Sequence, residues 1–424
     1  MFIIERQKLF IGIDLGNDFS QISYYDEALF EPRSISQKEE EEVYLIPTVL
    51  AATCDNGQWY FGEDALQLVR DGQTVALTDF VDKIENGSPI LYYDKEWAPA
   101  DILTRYLRKC LHLIIVKFPA GGIEKLVITV VKKEKILVEA ILEALHELGL
   151  EKDRVAVISH QESYTYYALR QKKELWLNDV GLFDFSERGL FFYRISMNRR
   201  TIPITVGIEK KDFTNLMSFD MLSGGREEGE LAYMFDGITK NALHKKIVST
   251  IYVTGRGFEG DWHKSVLEGL CVGRRVFYGQ NLYTIGACYG AKELAGEGKL
   301  ADYLLLNEEM VLVDISVKVF ANTKFVPYYL VKAGINWYDV NSKIEIIPDE
   351  ETELELEVFD VMTQQKKTFL LRIDSIEGRP RRTTILEVGL KFLEPKTCVL
   401  QVKDKGFGNM FPSTNRIWEK EIHL

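Results

Sequence analysis

Apolar and polar positions along the chain follow two different periods. Residues 9–15 form a short apolar run stopped by Gly16, and an alternating pattern resumes over 21–25, which predicts an opening hairpin of two strands. The polar stretch 31–42, ending in a run of glutamates, reads as a solvated loop. The runs IPTVLAA and WYFG predict two further strands joined at the turn signal Cys54-Asp55-Asn56-Gly57. Over 100–116, helical spacing puts Ile102, Tyr106, Leu107 and Cys110 on one face. A strand over 125–131, a helix over 135–148 closed by Gly149, and a strand over 154–159 follow. Strands alternating with helices predict an α/β layer with a mostly parallel sheet.

The segments 179–184 and 189–195 repeat the opening arrangement of strand, turn and strand, which points to two related halves. A third α/β passage runs over 247–254, through the glycine-rich GRGFEG, into a helix over 262–270. After Leu300 the helical period disappears and short alternating strands, such as 353–358 and 367–373, continue to the end. This pattern predicts an α/β unit over 1–301, a linker over 302–309 and a β-sandwich over 310–424.

Composition narrows the function class. A net charge of −12 argues against a nucleic-acid partner, because phosphate-backbone binding depends on clustered Lys and Arg. The five cysteines form no CxxC pair, so neither a disulfide framework nor a zinc site is indicated. No segment approaches the roughly 18 uninterrupted apolar residues of a membrane span, so the expectation is a cytoplasmic protein without a membrane partner. The six histidines show no ligand spacing.

Holding a nucleoside triphosphate requires backbone N–H groups converging on phosphate oxygens and a carboxylate to position hydrated magnesium. Asp14 at a strand end, followed by Gly16-Asn17-Asp18, supplies both types, although Asp-Leu-Gly alone is more often a structural turn. Further fragments then fall in the order of one family. IGIDLGNDFS, IPTVLAA with FGEDA, FVDKI, KLVITV, VISHQESYTYYAL, VGLFDF, YVTGRGFEG and ACYGA together resemble the ATPase domain of the 70-kDa heat-shock chaperones, members of the actin-like ATPase superfamily. LVDISVKV, SIEGRPRR, LEVGLKF and CVLQVKDKGFG resemble their interdomain linker and peptide-binding sandwich. The likeness covers residues from about Leu9 to Gly408, without the helical lid.

That resemblance implies a two-lobed actin-like fold with ribonuclease H-like halves, followed by a peptide-binding sandwich. It further implies ATP or ADP with Mg²⁺ as cofactors, with Asp14 and Asp184 holding the metal. Lys83 and Glu162 would position water, and Gly16, Asn17, Asp18, Gly255, Arg256 and Phe258 would surround the nucleotide. Phe258 reads equally as core packing, and the aromatic stretch 323–330 reads either as groove lining or as an inward-packed strand. The departures bear on activity. Asp184 is followed by Phe185-Ser186-Glu187-Arg188-Gly189-Leu190 where the family has a glycine run and a threonine. Asn17-Asp18 replaces two threonines, and the segment 195–247 is too short for the family's adenine clamp. The expectation is a chaperone-like protein with weak ATP hydrolysis and a sandwich that binds a peptide or protein partner. The alternative is a non-hydrolysing scaffold that kept the fold and lost the nucleotide; a filament former is disfavoured by the sandwich.

Overall fold

The computed structural model describes residues 7–37, 43–53, 57–321, 323–349, 353–373 and 379–424. Contacts divide the chain into two units. One runs to Ile195 and resumes over Lys210–Ala301, and the other joins Ser196–Glu209 to Asp302–Leu424.

The first unit opens on the meander β1 (Lys8–Leu15), β2 (Phe19–Asp26) and β3 (Glu31–Ile35), with β4 (Ile46–Pro47) also paired to β2. Residues 31–35 are therefore a strand and not a loop, paired antiparallel with β2 from Ile22 opposite Ile35 to Asp26 opposite Glu31. The glutamate run at 39–42 lies outside the described residues, as do 54–56 of the next expected turn. Around that turn β5 (Leu50–Ala52) pairs with β6 (Trp59–Phe61), leading into α1 (Gly62–Arg70) and the short α2 (Phe80–Glu85). A small hairpin, β7 (Ile90–Tyr92) and β8 (Lys95–Trp97), precedes α3 (Pro99–Lys117), whose proline occupies the first turn, where no N–H partner is needed. Then come β9 (Gly122–Val130), α4 (Lys135–Glu147), β10 (Val155–Ser159) and α5 (His160–Arg170).

The sheet order is β10-β9-β1-β2-β3, parallel among β10, β9 and β1 and antiparallel from β1 to β3. It is mixed, not mostly parallel, because the hairpin strands come before the first crossover helix. One face packs Ile11, Ile13, Leu126 and Ile128 against Tyr106 and Leu107 of α3 and Ile141 and Leu145 of α4.

The same scheme recurs in β11 (Asp179–Ser186), β12 (Gly189–Asn198), β13 (Ile204–Asp212), α6 (Glu228–Leu243), β14 (Val248–Thr254), α7 (Lys264–Leu270), β15 (Arg275–Tyr278) and α8 (Leu282–Leu294). β12 is antiparallel to β11, whereas β14 and β15 continue the sheet in parallel. The helix expected from residue 262 starts at Lys264, because Trp262 is buried beside Phe185, Phe235 and Phe258. α8 lies on the second face of the first sheet, packing Ala287, Cys288 and Ala291 on Phe10, Val127 and Ile158. Its approach depends on missing side chains. A Cβ on Gly12 would stand 2.4 Å from the Thr284 carbonyl oxygen, and one on Gly286 would stand 2.0 Å from that of Ser163 on α5. The ends of β1 and β11 and the starts of α5 and α8 are thereby brought to one place.

The second unit pairs β13 in parallel with β16 (Tyr303–Leu306) and continues with β17 (Val313–Ala321), β18 (Lys324–Val331), β19 (Ser342–Ile346), β20 (Glu353–Asp360) and β21 (Lys366–Arg372). It ends with β22 (Ile385–Glu394), β23 (Thr397–Phe407), β24 (Phe411–Pro412) and β25 (Ile417–His423). Part of the SIEGRPRR fragment, up to residue 378, lies outside the described residues. Two antiparallel sheets, β18-β17-β20-β21 and β19-β22-β23 with β24 and β25, share one core. Alternate residues of each supply it: Ile315, Val317 and Leu356 from one sheet, Val388, Leu400 and Val402 from the other. The aromatics of β18 do not pack inward, since Phe325 is 71% exposed and Tyr328 and Tyr329 are also exposed. Among the described residues no helix is long and apolar enough to cross a membrane, and the cysteines are unpaired.

Candidate functional site

Where β1, β11, α5 and α8 meet, a cleft of about 130 Å³ is lined by Asp14, Asp18, Asp184, Glu187, Arg256 and Tyr283, among others. Its floor is built from two mirrored strand ends. Asp14 on β1 sits opposite Gln21 of β2 and Thr129 of β9, and Asp184 on β11 sits opposite Phe191 of β12 and Thr254 of β14. Each carboxylate has a partner from a central helix. His160 Nε2 lies 2.8 Å from Asp14 Oδ1, and Tyr283 donates its hydroxyl to Asp184 Oδ2 at 2.6 Å. The two helix residues stack on each other, ring centroids 3.7 Å apart at 14°. One run of contacts therefore joins Asp14, His160, Tyr283 and Asp184. Burial raises the Asp184 carboxyl above its usual range, with the Tyr283 hydroxyl opposing, and burial also raises the Tyr283 phenol.

Asp14, Gly16, Asn17, Asp18, Asp184, Gly255 and Arg256 all line the cleft, as the sequence indicates. Three other residues stand elsewhere. Phe258 is 1% exposed within the aromatic core, stacked on Trp262 at 5.8 Å, so its packing reading holds and its stacking on a ligand does not. Glu162 caps α5: its Oε2 accepts from the Ser159 backbone N–H at 2.8 Å, and Lys133 pairs with it at 2.9 Å. As the third residue of the helix it is turned to its own N-terminus, whereas His160, the first, reaches the cleft. Lys83 sits on α2 and is not among the cleft-lining residues. His160 and Tyr283 are the functional candidates that sequence reasoning missed. The Ser159-x-x-Glu162 spacing was the available signal that Glu162 is a cap.

The loops that would cradle phosphates are occupied by the protein. Gly16 donates its N–H to the Phe19 carbonyl at 3.1 Å, closing the β1–β2 turn. Asn17 donates to Asp79 at 3.3 Å and accepts from the Asp82 N–H at 3.2 Å. Gly255, at φ +98°, donates its N–H to Gln280 Oε1 and accepts from Gln280 Nε2 at its carbonyl, each contact 3.2 Å, and a Cβ there would stand 2.2 Å from the Phe185 carbonyl oxygen. The β11–β12 turn is a tight hairpin in which Ser186 pairs with Gly189. Its Glu187 accepts from Arg256 at 2.7 Å, and its Arg188 donates to Asp82 and Glu85. Burial, followed by the charges of Glu187, Asp82 and Asp79, raises the Asp18 carboxyl.

In this arrangement the residues do not fit a nucleoside triphosphate with hydrated Mg²⁺. The amides and cations are engaged, four carboxylates line the space, and 130 Å³ is below the roughly 300 Å³ at which ligand pockets begin. Among the described residues no group of three or more His, Cys, Asp or Glu is placed to hold a metal ion.

A family model described as the C-terminal part of a family of unknown function, DUF5716, matches residues 31–308, well over half of the chain. The chain belongs to the DUF5716 family. The cleft falls largely inside that matched region, with Asp14 and the first turn preceding it. A second model, described as a domain of unknown function, DUF8552, matches residues 310–424, the span of the sandwich strands. No curated protein matches the chain.

Proposed function

We propose that this DUF5716 chain is a non-hydrolysing interaction protein on an actin-like ATPase architecture of the kind used by the 70-kDa heat-shock chaperones, and that its sandwich docks a protein partner. The architecture is supported by the recurrence of a hairpin joined to parallel strands, β1–β2 with β9–β10 and β11–β12 with β14–β15, around the adjacent helices α5 and α8. The observation that carries the loss of nucleotide chemistry is the internal pairing of both floor carboxylates, Asp14 with His160 and Asp184 with Tyr283. Each contact engages one oxygen of its carboxylate in a largely buried pair, so a hydrated cation would compete with that partner or be left with the other oxygen alone. Partner docking is supported by β18, an edge strand carrying exposed Phe325, Tyr328 and Tyr329, with Phe320 beside Phe325 at 5.2 Å. Edge strands offer unpaired backbone groups, and exposed aromatics supply contact area.

Calorimetric titration of the full chain with ATP or ADP and Mg²⁺ tests the reading. No heat of binding at millimolar nucleotide is the expected result. Saturable binding that disappears in Asp14→Ala would overturn it in favour of a nucleotide-gated chaperone.

A further inference from the structure

Two contacts cross the cleft, from the charged tip of the β11–β12 hairpin and from its neighbour Arg256. Glu187 and Arg188 are the two turn residues of that hairpin. Arg188 reaches over to α2, donating to Asp82 at 2.5 Å and to Glu85 at 3.2 Å. α2 belongs to the first-sheet side through buried Phe80, Val81 and Ile84. Asn17 of the β1–β2 turn braces it by bonding both Asp79 and the Asp82 N–H. On the other flank Glu187 orients Arg256, whose guanidinium lies 4.9 Å from the ring centre of Phe19. The second-sheet side thus grips the first-sheet side on both flanks of the opening, using only its own charges.

We propose that the Glu187-Arg188 tip is a built-in strap that ties the hairpin to α2 across the mouth of the cleft, so that its release widens access to the cleft while the Asp14–His160 and Asp184–Tyr283 contacts stay in place. It is a property of the chain alone and goes beyond the nucleotide question. The Arg188–Glu85 pair is partly buried, its side chains 28% and 12% exposed, whereas the Asp82 acceptor, 43% exposed, stays open to water and salt. The acceptors also form one network: removing Arg188 leaves Glu85 without its cation and leaves Asp18, Asp82 and Glu187 crowded around one turn.

Hydrogen exchange on the full chain, without nucleotide, reads the strap directly. In Arg188→Glu the amides of α2 and of the hairpin tip should exchange about tenfold faster, while those of β9 keep their wild-type rate. Adding Asp82→Arg and Glu85→Arg to that variant should restore protection. Arg188→Gln and the wild-type chain at high salt should move in the same direction as Arg188→Glu, which covers the case in which the charge reversal does not fold. Unchanged exchange of α2 in Arg188→Gln and at high salt, or failure of the triple variant to regain protection, would overturn the strap. Calorimetry with nucleotide is a separate readout, so either idea fails without the other.

Discussion

At the scale of single residues, burial and register decide between readings that identity leaves open. Phe258 sits in the second-sheet core among Phe185, Phe235 and Trp262. Phe258→Ala should therefore destabilise the first unit by about 3–5 kcal/mol in denaturant unfolding, as other large aromatic truncations do; a neutral result would place the ring outside the core. Glu162→Ala should lower stability by more than the roughly 1 kcal/mol of a lost cap interaction, because it also removes the carboxylate beside the nearly buried Lys133, and it should leave the Asp14–His160 contact in place. The imidazole chemical shifts of His160, followed by NMR, check the second half: an unchanged ring environment separates a cap from a cleft residue. Asp14 and Asp184 were singled out by the order of fragments that resemble the heat-shock family, since a carboxylate ending an apolar strand is by itself more often part of a structural turn. His160 was not, since the choice between residues 160 and 162 depends on where the helix begins, and that is fixed by the Ser159 cap.

Elements were legible where one period dominates. The β1–β2 hairpin and α3 follow directly from alternation and from a four-residue apolar face. β3 was hidden by its charged outward residues, and the helical start near 262 by an aromatic that belongs to the core. β23 shows what a strand pattern cannot carry. Its Asp404 is 0% exposed, and Arg379 meets it through two nitrogens, at 2.8 and 3.1 Å. The backbone N–H groups of Gly406 and Thr414 and the Thr414 hydroxyl also donate to it. Sequence places Arg379 and Asp404 in separate fragments with no hint that they pair.

Burial alone would raise the Asp404 carboxyl, but the Arg379, Thr414 and Gly406 donors outweigh it and hold the group down at about 2. A depressed folded value means stability that is present above the unfolded value of 3.8 and lost as pH falls through about 2. The sandwich should lose about 2 kcal/mol over that interval, seen as a falling unfolding midpoint in acid titration. Asp404→Asn should remove this acid dependence. It should also cost about 3–5 kcal/mol at neutral pH, because it strands a buried guanidinium.

At the scale of the whole molecule, the loss of helical period after Leu300 is plain in the sequence, but the excursion of Ser196–Glu209 into the second unit is not. The sequence marks 195–247 only as a short segment and does not say which core it serves; the contacts that settle it for 196–209, Asn198 to the Met362 carbonyl at 3.0 Å and Gly207 against the Met362 side chain, are long-range. Because each unit has a core of its own, variants should act locally in a thermal scan. The hairpin pair Glu187→Gly with Arg188→Gly should lower only the transition of the first unit, and Asp404→Asn only that of the second.

The same hairpin variant makes the sharper test of the site. It puts glycine where the heat-shock chaperones have it, yet leaves Gly16 bonded to Phe19, Gly255 bonded to Gln280, Asp14 to His160 and Asp184 to Tyr283. If one charged loop were the sole obstacle, millimolar MgATP would bind this variant, and at ten times Kd it would add about 1.4 kcal/mol. That gain would raise the midpoint by about 2 °C for a unit of this size. The expected result is no shift. On the proposed function, several independent contacts exclude the nucleotide, and removing one leaves the others in place.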